Sequence, residues 1–309
     1  MTCDQTDQSE VRQALIDATK AALGEAIDTR LEGGLYVVAT PIGNLGDITI
    51  RALATLARAD AIYCEDTRHS RKLLSRYRID TPLRVYEEHS AKRERPRILA
   101  ALGRGDVIAL ISDAGTPLIS DPGYKLVRDA VAEGYRVIAL PGACAAIAGL
   151  SVSGLATDSF HFVGFLPSKT VGRRSRLDAL ERIEATLVFY ESPNRLAAML
   201  KDAADVLGVR QAVVGRELTK LHEEVVRGPL DDLAEWANQT PPRGEVVVLI
   251  EGPGTIDVSD EEIVVALQHT LASCSLKDAA REIAASLKVS RKRVYELGLA
   301  MRDGRDGGK

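Results

Sequence analysis

The chain contains few of the residues that mark disulfide-stapled, secreted or membrane-spanning proteins. Its 309 residues include four cysteines and one tryptophan. Cysteines this sparse exclude a disulfide framework and a CxxC motif, so we expect reduced thiols at Cys3, Cys64, Cys144 and Cys274. No apolar run approaches the length that spans a bilayer, and residues 1–32 hold seven acidic groups against three basic ones, the wrong balance for a secretory signal. These absences predict a cytoplasmic protein.

Several common catalytic and nucleotide-binding motifs are also missing. The pair Gly43 and Gly46 does not form a GxGxxG fingerprint, and the chain has neither a GxxxxGK[ST] loop nor a GxSxG elbow. His222 and Glu223 begin like the HExxH zinc motif, but position 226 is Val. The five histidines have no ligand-like spacing, so we predict that the protein binds no metal.

The composition is that of a globular protein with an uneven charge distribution. Hydrophobic residues make up 45% and charged residues 27%, and the length predicts two domains with room for a small third. The net charge of -4 hides basic segments at 68–97, 169–176 and 275–309. Each segment could be a solvated helix face, but the three together favour a polyanionic partner.

Residues 33–153 alternate strand and helix patterns in short order. Such alternation requires crossover connections and predicts an α/β domain with a parallel sheet. The predicted strands are 35–39, 61–64, 84–86, 107–111 and 136–140, and the predicted helices are 48–58, 69–77, 92–102 and 124–133. For the extension 1–32 we predict a loose amphipathic helix with no assigned function.

A second α/β domain is predicted at 154–254, after a break rich in Ser, Gly and Thr. Its strands are close enough in sequence for hairpin-like loops, which predicts a mixed sheet. The predicted strands are 160–165, 186–190, 211–215, 222–227 and 245–251, with helices at 176–184 and 195–207. Three short helices at 261–271, 276–287 and 290–301 then form a C-terminal helical module at 259–303. Their spacing suits either a helix-turn-helix that reads nucleic acid or a structural cap.

Four loop segments directly follow predicted strands. They are ATPIGNLGD at 39–47, ISDAGTPLISDPG at 111–123, the turn Pro141-Gly142 with the small-residue helix behind it, and ESPNR at 191–195. Open α/β sheets bind small molecules at the carboxyl ends of their strands, and bare backbone suits a flat ligand. We therefore predict that these segments face one crevice, although close helix-strand packing would also explain their Gly and Ala residues.

The motifs ATPIGNLGDIT, CEDTRHSRKLL, ISDAGTPLISDPG, LVFYESPNRL, GRELTKLHEE and GEVVVLIEG occur in this order along the chain. Over residues 33–302 the chain resembles the tetrapyrrole-methylase superfamily, and within it the branch that methylates small-subunit ribosomal RNA. The resemblance implies two α/β domains with S-adenosylmethionine in the cleft between them, a homodimer and a C-terminal helical module. It also implies 2′-O-methylation of a cytidine in the decoding region of 16S rRNA, as naked rRNA or in the 30S subunit.

The resemblance also assigns the donor site, residue by residue. The implied S-adenosylmethionine-binding residues are Pro41, Ile42, Asp113, Ala114, Gly115, Thr116, Ile119, Cys144, Ala145, Glu191 and Gly228. One departure from the branch is EEHS at 87–90, where Asn more usually follows His89.

Methyl transfer from a sulfonium requires alignment and a nucleophilic hydroxyl, because the leaving group needs no acid. A carboxylate or neutral Lys within reach could take the proton of a ribose 2′-OH. The candidates are Glu65, Asp66, Glu217 and Lys220. Arginine forks match phosphate oxygens, and the predicted RNA-binding residues are Arg68, Arg195, Arg216, Arg291, Lys292 and Arg293. A salt bridge between domains or subunits is the structural alternative for each of these charged residues.

Two other functions remain compatible with the sequence. A shared fold does not fix the substrate, so a tetrapyrrole or other small-molecule methylase is one alternative. A non-catalytic nucleic-acid-binding regulator is the other. The basic segments disfavour the first, and the intact loop motifs disfavour the second.

Overall fold

The computed structural model describes residues 3–87, 90–253, 260–271, 274–287 and 289–306. His89 and residues 254–259, which include the end of the predicted second domain and the start of the predicted C-terminal module, lie outside the described residues. The first sheet contains β1 (Gly34–Val38), β2 (Ala61–Cys64), β3 (Leu83–Val85), β4 (Val107–Ile111) and β5 (Val137–Leu140). The strands are all parallel, in the order β3-β2-β4-β1-β5. The predicted parallel sheet is confirmed.

Helices cover both faces of this sheet, which is why its central strands are apolar throughout. The helices that flank it are α2 (Ile50–Arg58), α3 (Thr67–Arg76), α4 (Ala91–Gly103) and α5 (Tyr124–Ala132), and α1 (Cys3–Asp28) precedes β1. On one face Val38 packs in a core with Leu56 of α2, and on the other Leu110 packs with Ile98 of α4 and Leu126 of α5. Fully buried strands of this kind read as continuous hydrophobic runs, which made them recognisable in the sequence.

The N-terminal helix α1 contacts α2 but contributes little to the core. Its residues Val11 and Leu15 are 62% and 67% exposed. The predicted helix is therefore present, but its apolar residues are exposed rather than gathered on a buried face.

The second sheet is mixed, as predicted. It contains β6 (Phe160–Phe165), β7 (Thr186–Glu191), β8 (Gln211–Arg216), β9 (Glu224–Pro229) and β10 (Val246–Ile250). Their order is β6-β7-β10-β8-β9, with β6 and β7 parallel and the other neighbours antiparallel. One face is covered by α7 (Thr170–Asp178), α8 (Pro193–Leu207) and α9 (Leu230–Gln239).

Helix α6 (Ala145–Ser153) covers the opposite face of the second sheet. It follows β5 of the first domain, yet Ala146 and Leu150 pack with Val188, Val213 and Val247. The helix that directly follows β5 thus packs on the second sheet, while the predicted domain boundary at 153 stays a prediction.

Two helices of the second domain differ from the sequence prediction. The helix predicted at 176–184 begins earlier, because Arg173 is buried against Asp202 of α8, with Nε 2.6 Å from Oδ2. After α7 the chain continues in tight turns, with the N–H of Leu180 bonded to the carbonyl of Leu177. Helix α9 was not predicted.

The C-terminal module consists of α10 (Asp260–Thr270), α11 (Leu276–Leu287) and α12 (Arg291–Asp306). These helices share a core of their own that includes Ile263, Leu267, Ala280, Ile283 and Val294. The three predicted helices are confirmed.

The buried pair of Arg173 and Asp202 generates a stability prediction. Substitution D202A leaves a guanidinium whose side chain is 6% exposed without its partner, a loss that typically costs about 3–5 kcal/mol. The control D205A removes a carboxylate that is 44% exposed and pairs with Arg174, and should cost less than about 1 kcal/mol. The only tryptophan, Trp236, packs against the same core, so its fluorescence during urea unfolding reports both variants. Equal losses in the two variants would contradict the prediction.

Candidate active site

A cavity of about 410 Å³ lies where the two domains meet, at the carboxyl ends of the first sheet. Small-molecule sites typically occupy roughly 300–1,000 Å³. Each of the four loop segments singled out in the sequence contributes to its wall, through residues such as Ile42, Asp113, Ala145 and Glu191. The second domain adds the loop after β8 and the start of β10. The volume and the mixed lining suit a small organic ligand.

The loop 112–123 is held by backbone bonds to the end of β1. Thr40 and Gly115 exchange two hydrogen bonds, with N···O distances of 2.9 and 3.0 Å. Gly115 has a φ of 82°, and a Cβ there would lie 3.2 Å from Cγ2 of Ile42. Leu118 and Ser120 also have positive φ, 75° and 67°. Non-glycine residues adopt this conformation only under strain, and such strain in a cavity wall is typical of functional sites.

The opposite wall is aromatic and is tied to α6. The Tyr190 hydroxyl accepts a hydrogen bond from the N–H of Ala146 at 3.1 Å, which satisfies one of the free N–H groups at the start of the helix. The rings of Phe162 and Phe165 meet the Tyr190 ring edge-on, at centroid distances of 5.0 and 5.7 Å. Burial raises the pKa of Tyr190, so the hydroxyl stays protonated.

Glu191 places a buried carboxylate in the cavity wall. Its Oε1 accepts the N–H of Ser192 at 2.8 Å and lies 3.2 Å from Nε of Arg195, an ion pair without hydrogen-bond alignment. Its Oε2 is buried and has no hydrogen-bond partner among the described residues. An unpaired buried acceptor is costly, so this oxygen marks a position where a ligand donor would fit.

A group of carboxylates lies on the first-domain side of the cavity. Asp113 Oδ1 accepts the N–H of Asp66 at 3.1 Å. Burial raises the pKa of Glu65, with further contributions from the charges of Asp113 and Glu87. Burial, together with the charge of Glu65, also raises the pKa of Asp121 to about 6.

Asp66 does not suit the predicted role of proton acceptor. Its side chain accepts the N–H of Arg68 at 2.7 Å, which caps α3, and pairs with the Arg68 guanidinium at 3.0 Å. The hydrogen bonds from the Arg68 side chain and backbone hold the pKa of Asp66 at about 2. A carboxylate with so low a pKa is a weak base.

Glu217 and Lys220 form an ion pair at the cavity rim, which also argues against their predicted roles as bases. Lys220 Nζ lies 2.8 Å from Glu217 Oε1 and 3.2 Å from Glu245 Oε2. Burial alone lowers the pKa of Lys220, but the hydrogen bond to Glu217 and the nearby charges outweigh it and raise the pKa. The hydrogen bond from Lys220 lowers the pKa of Glu217. The alkyl stem of Lys220 lies against Gly43 of the first domain, since a Cβ at Gly43 would overlap the Lys220 side chain.

Two of the predicted phosphate-binding arginines are engaged within the fold. Arg195 donates to the carbonyl of Leu166 at 2.6 Å, and Arg216 pairs with Glu224 at 3.0 Å. Arg68 is different, because its side chain is 90% exposed and pairs with its neighbour Asp66.

The predicted basic residues of the C-terminal module lie at the start of α12. Arg293 pairs with Asp260 of α10 at 2.6 Å, and Lys292 lies 3.9 Å from Glu296 on its own helix. Arg291 is exposed.

The structure brings most of the implied donor-site residues together. Those that line the cavity are Ile42, Asp113, Ala114, Gly115, Thr116, Ile119, Ala145 and Glu191. Pro41 and Cys144 are chain neighbours of lining residues. Gly228 does not line the cavity and pairs with Ala212 in the β8-β9 hairpin, so its role in donor binding stays a prediction.

Sequence reasoning missed Asp121, Tyr190 and Glu245, which all line the cavity. Asp121 lies in the loop that the sequence singled out, and Tyr190 directly precedes ESPNR, so both were adjacent to recognised signals. Glu245 reaches the site through sheet pairing alone.

Comparison with known proteins identifies the family. Residues 34–234 match the model described as "Tetrapyrrole (Corrin/Porphyrin) Methylases", and residues 257–302 match the "RsmI C-terminal HTH domain". The chain is 48% identical to "Ribosomal RNA small subunit methyltransferase I" of Mesorhizobium japonicum over 276 residues, which cover 88% of this chain and 94% of the relative. It is 46% identical to the Pseudomonas aeruginosa protein of the same name, over 86% of this chain and 97% of that one. The chain belongs to the ribosomal RNA small subunit methyltransferase I family.

Solved structures of low sequence identity share this fold. A uroporphyrin-III C-methyltransferase from Thermus thermophilus, complexed with S-adenyl homocysteine, superposes with a TM-score of 0.51 at 21% identity, covering 71% of this chain and 97% of that one. For this member of the family, no helix in the described residues is long and apolar enough to cross a membrane. Within the same residues, no group of three His, Cys, Asp or Glu side chains could hold a metal ion.

The bond between Tyr190 and α6 generates a prediction about how the cavity wall is held. Substitution Y190F leaves the N–H of buried Ala146 without its acceptor, which should lower the free energy of unfolding by about 1–3 kcal/mol. Y86F is a matched control, because the Tyr86 hydroxyl is buried without a hydrogen-bond partner among the described residues. Urea unfolding followed by circular dichroism compares the two variants. A larger loss in Y86F than in Y190F would show that the Tyr190 bond is not what holds the wall.

Proposed function

We propose that the protein transfers a methyl group from S-adenosylmethionine to the ribose 2′-oxygen of a cytidine in the decoding region of 16S rRNA. The observation that carries this proposal is the cavity at the domain junction, with its unpaired buried carboxylate oxygen, in a chain of this family. The relatives' name states a small-subunit rRNA substrate. A homodimer in the cytoplasm, implied by the resemblance, is part of the same proposal.

The cavity residues fit the methyl donor. The donor carries ribose hydroxyls and an ammonium group, either of which could donate to the free Oε2 of Glu191. Ala114, Gly115 and Ala145 expose backbone beside the cavity, which suits a flat purine. A related fold has been solved with S-adenyl homocysteine, the demethylated product of the same donor.

When bound, S-adenosylmethionine supplies a methyl group on positively charged sulfur. The tasks left to the chain are to bind, to align and to exclude water. Loop 112–123 and α6 form a preformed wall for binding, because the loop is tied to Thr40 and the helix to Tyr190. The Lys220 side chain crosses to Gly43 of the first domain, and its ion pairs with Glu217 and Glu245 hold it at the rim.

Helix α3 supplies the surface for the RNA partner. Arg68, Arg71, Lys72 and Ser75 line a shared groove along this helix. Arg71 and Lys72 are exposed, and no carboxylate forms an ion pair with either of them in the described part of the chain. The residue that caps the start of the helix is Asp66, and its N–H donates a hydrogen bond to Asp113 of the cavity wall. Unpaired cations beside the cavity suit the phosphates of a strand whose target ribose enters it.

Labelling with a radioactive methyl donor tests the function. Incubation with 30S subunits that lack the modification should label 16S rRNA at a single nucleotide. The backbone there should resist alkaline cleavage, because a 2′-O-methyl group removes the attacking hydroxyl. Label in a tetrapyrrole precursor alone would assign the protein to small-molecule methylation. Donor binding with no transfer to either substrate would favour the regulator, and calorimetry that detects no donor binding would refute the proposed function.

Charge reversal on α3 tests the RNA surface. The double variant R71E/K72E should lower kcat/KM for 30S subunits by about tenfold or more. A plot of the logarithm of RNA affinity against the logarithm of salt concentration should become shallower by about one unit of slope for each lost phosphate contact. Donor affinity should not change, because neither side chain lines the cavity. R182E/K201E is the matched control: it makes the same charge change at two exposed residues of the second domain. An equal loss of kcat/KM in the control would show that the effect depends on net charge and not on the position of the cations on α3.

A further inference from the structure

Asp121 is a cavity-lining carboxylate that none of the site assignments uses. Four carboxylates line the cavity: Asp113, Asp121, Glu191 and Glu245. Each of the other three has a hydrogen-bond or ion-pair partner, since Asp113 accepts the N–H of Asp66, Glu191 lies against Arg195, and Glu245 lies against Lys220. Asp121 forms no ion pair with a cation in the described part of the chain, and the nearby Ser112 hydroxyl is neutral and donates to the carbonyls of Ala114 and Gly115.

The groups that interact electrostatically with Asp121 come from three elements, and Asp113 and Tyr190 line the same cavity. Glu65 stands at the end of β2, Ser112 and Asp113 lie in the loop after β4, and Tyr190 lies on β7. Two of these groups are anionic and two are neutral. This surrounding disfavours a negative charge on Asp121 and therefore favours uptake of a proton.

We propose that Asp121 accepts the proton of the ribose 2′-hydroxyl during methyl transfer. This inference rests on the proposed function. As the 2′-oxygen forms its bond to the methyl carbon of the sulfonium donor, the carbon–sulfur bond breaks and its electron pair returns to sulfur. The hydroxyl proton passes to the Asp121 carboxylate and afterwards to solvent. No oxidant, reductant or metal is required.

The other candidate bases are less suited to this step. Asp66 and Glu217 have lowered pKa values, and the raised pKa of Lys220 keeps it protonated. Glu65 does not line the cavity. A general base works best when its pKa lies near the working pH, and burial raises the pKa of Asp121 to about 6. Asp121 is thus ionised at neutral pH and still basic enough to hold a proton.

The test is a pH profile of single-turnover methylation of 30S subunits. In the parent protein the rate should rise as pH increases through about 6 and then level off, because only the ionised carboxylate accepts a proton. D121N should lower the plateau rate by about 10²- to 10⁴-fold, the usual contribution of a general base. The rise of the rate near pH 6, the acid limb of the profile, should be absent in this variant. Donor affinity measured by calorimetry should change far less than the rate.

Substitution E65Q tests the same inference without altering Asp121. Removing the negative charge of Glu65 should lower the pKa of Asp121 and move the acid limb to lower pH. A merely structural role for Asp121 would not produce this shift. If instead E65Q abolishes the limb and D121N keeps it, Glu65 is the base and the inference is overturned.

Thermal unfolding supplies a readout independent of activity. A carboxyl whose pKa is raised by folding destabilises the fold once it ionises, so this penalty grows as pH rises from the unfolded value of about 3.9 through 6. D121N should therefore raise the melting temperature relative to the parent more at pH 8 than at pH 5. A D121N protein that methylates within threefold of the parent rate overturns the inference alone. A parent protein that does not methylate rRNA overturns the proposed function.

Discussion

The docking of α6 on the second sheet is the contact on which the cavity depends. The helix leaves the first sheet directly after β5, so its first turn lies at the carboxyl edge where the loops converge. Its apolar side buries Ala146 and Leu150 against the second sheet, and the hydroxyl of Tyr190 accepts an N–H of its first turn. Because this short helix directly follows a strand of the first sheet and packs on the second sheet, it sets the distance between the two sheets at the cavity.

Much of the fold was predictable because its signals are local. Strands β2 and β4 begin and end where the hydrophobic runs predict, since buried parallel strands have few polar interruptions. The displaced start of α7 was not predictable, because it depends on Asp202, which lies 29 residues away from Arg173. The packing of α6 on the second sheet was hidden for the same reason: the sequence shows an apolar helix but not the surface that it covers.

In the candidate site, too, the features with local sequence signals were predictable and those that depend on distant contacts were not. Loop 112–123 could be found because turn-forming residues directly after a buried strand are visible in the sequence. Glu217, Lys220 and Asp66 were plausible bases as residue types, but their chemistry is set by partners that only the folded chain brings near. Tyr190 and Glu245 reach the cavity through pairing of β7 and β10, a contact between segments more than fifty residues apart. The sequence shows which side chains could act as bases, but not their protonation states or whether other residues already bind them.

The distribution of charge separates two tasks that would otherwise conflict. The cavity wall is anionic, because Asp113, Asp121, Glu191 and Glu245 are among the residues that line it. Such a wall attracts a cationic ligand and repels phosphate. A nucleic-acid strand must therefore keep its backbone outside the cavity and present only a neutral ribose to it. The unpaired cations lie on α3, and the residue that caps this helix, Asp66, donates its N–H to Asp113 of that wall. An anionic interior beside a cationic outer helix lets one small region hold a positively charged donor and a polyanionic acceptor together.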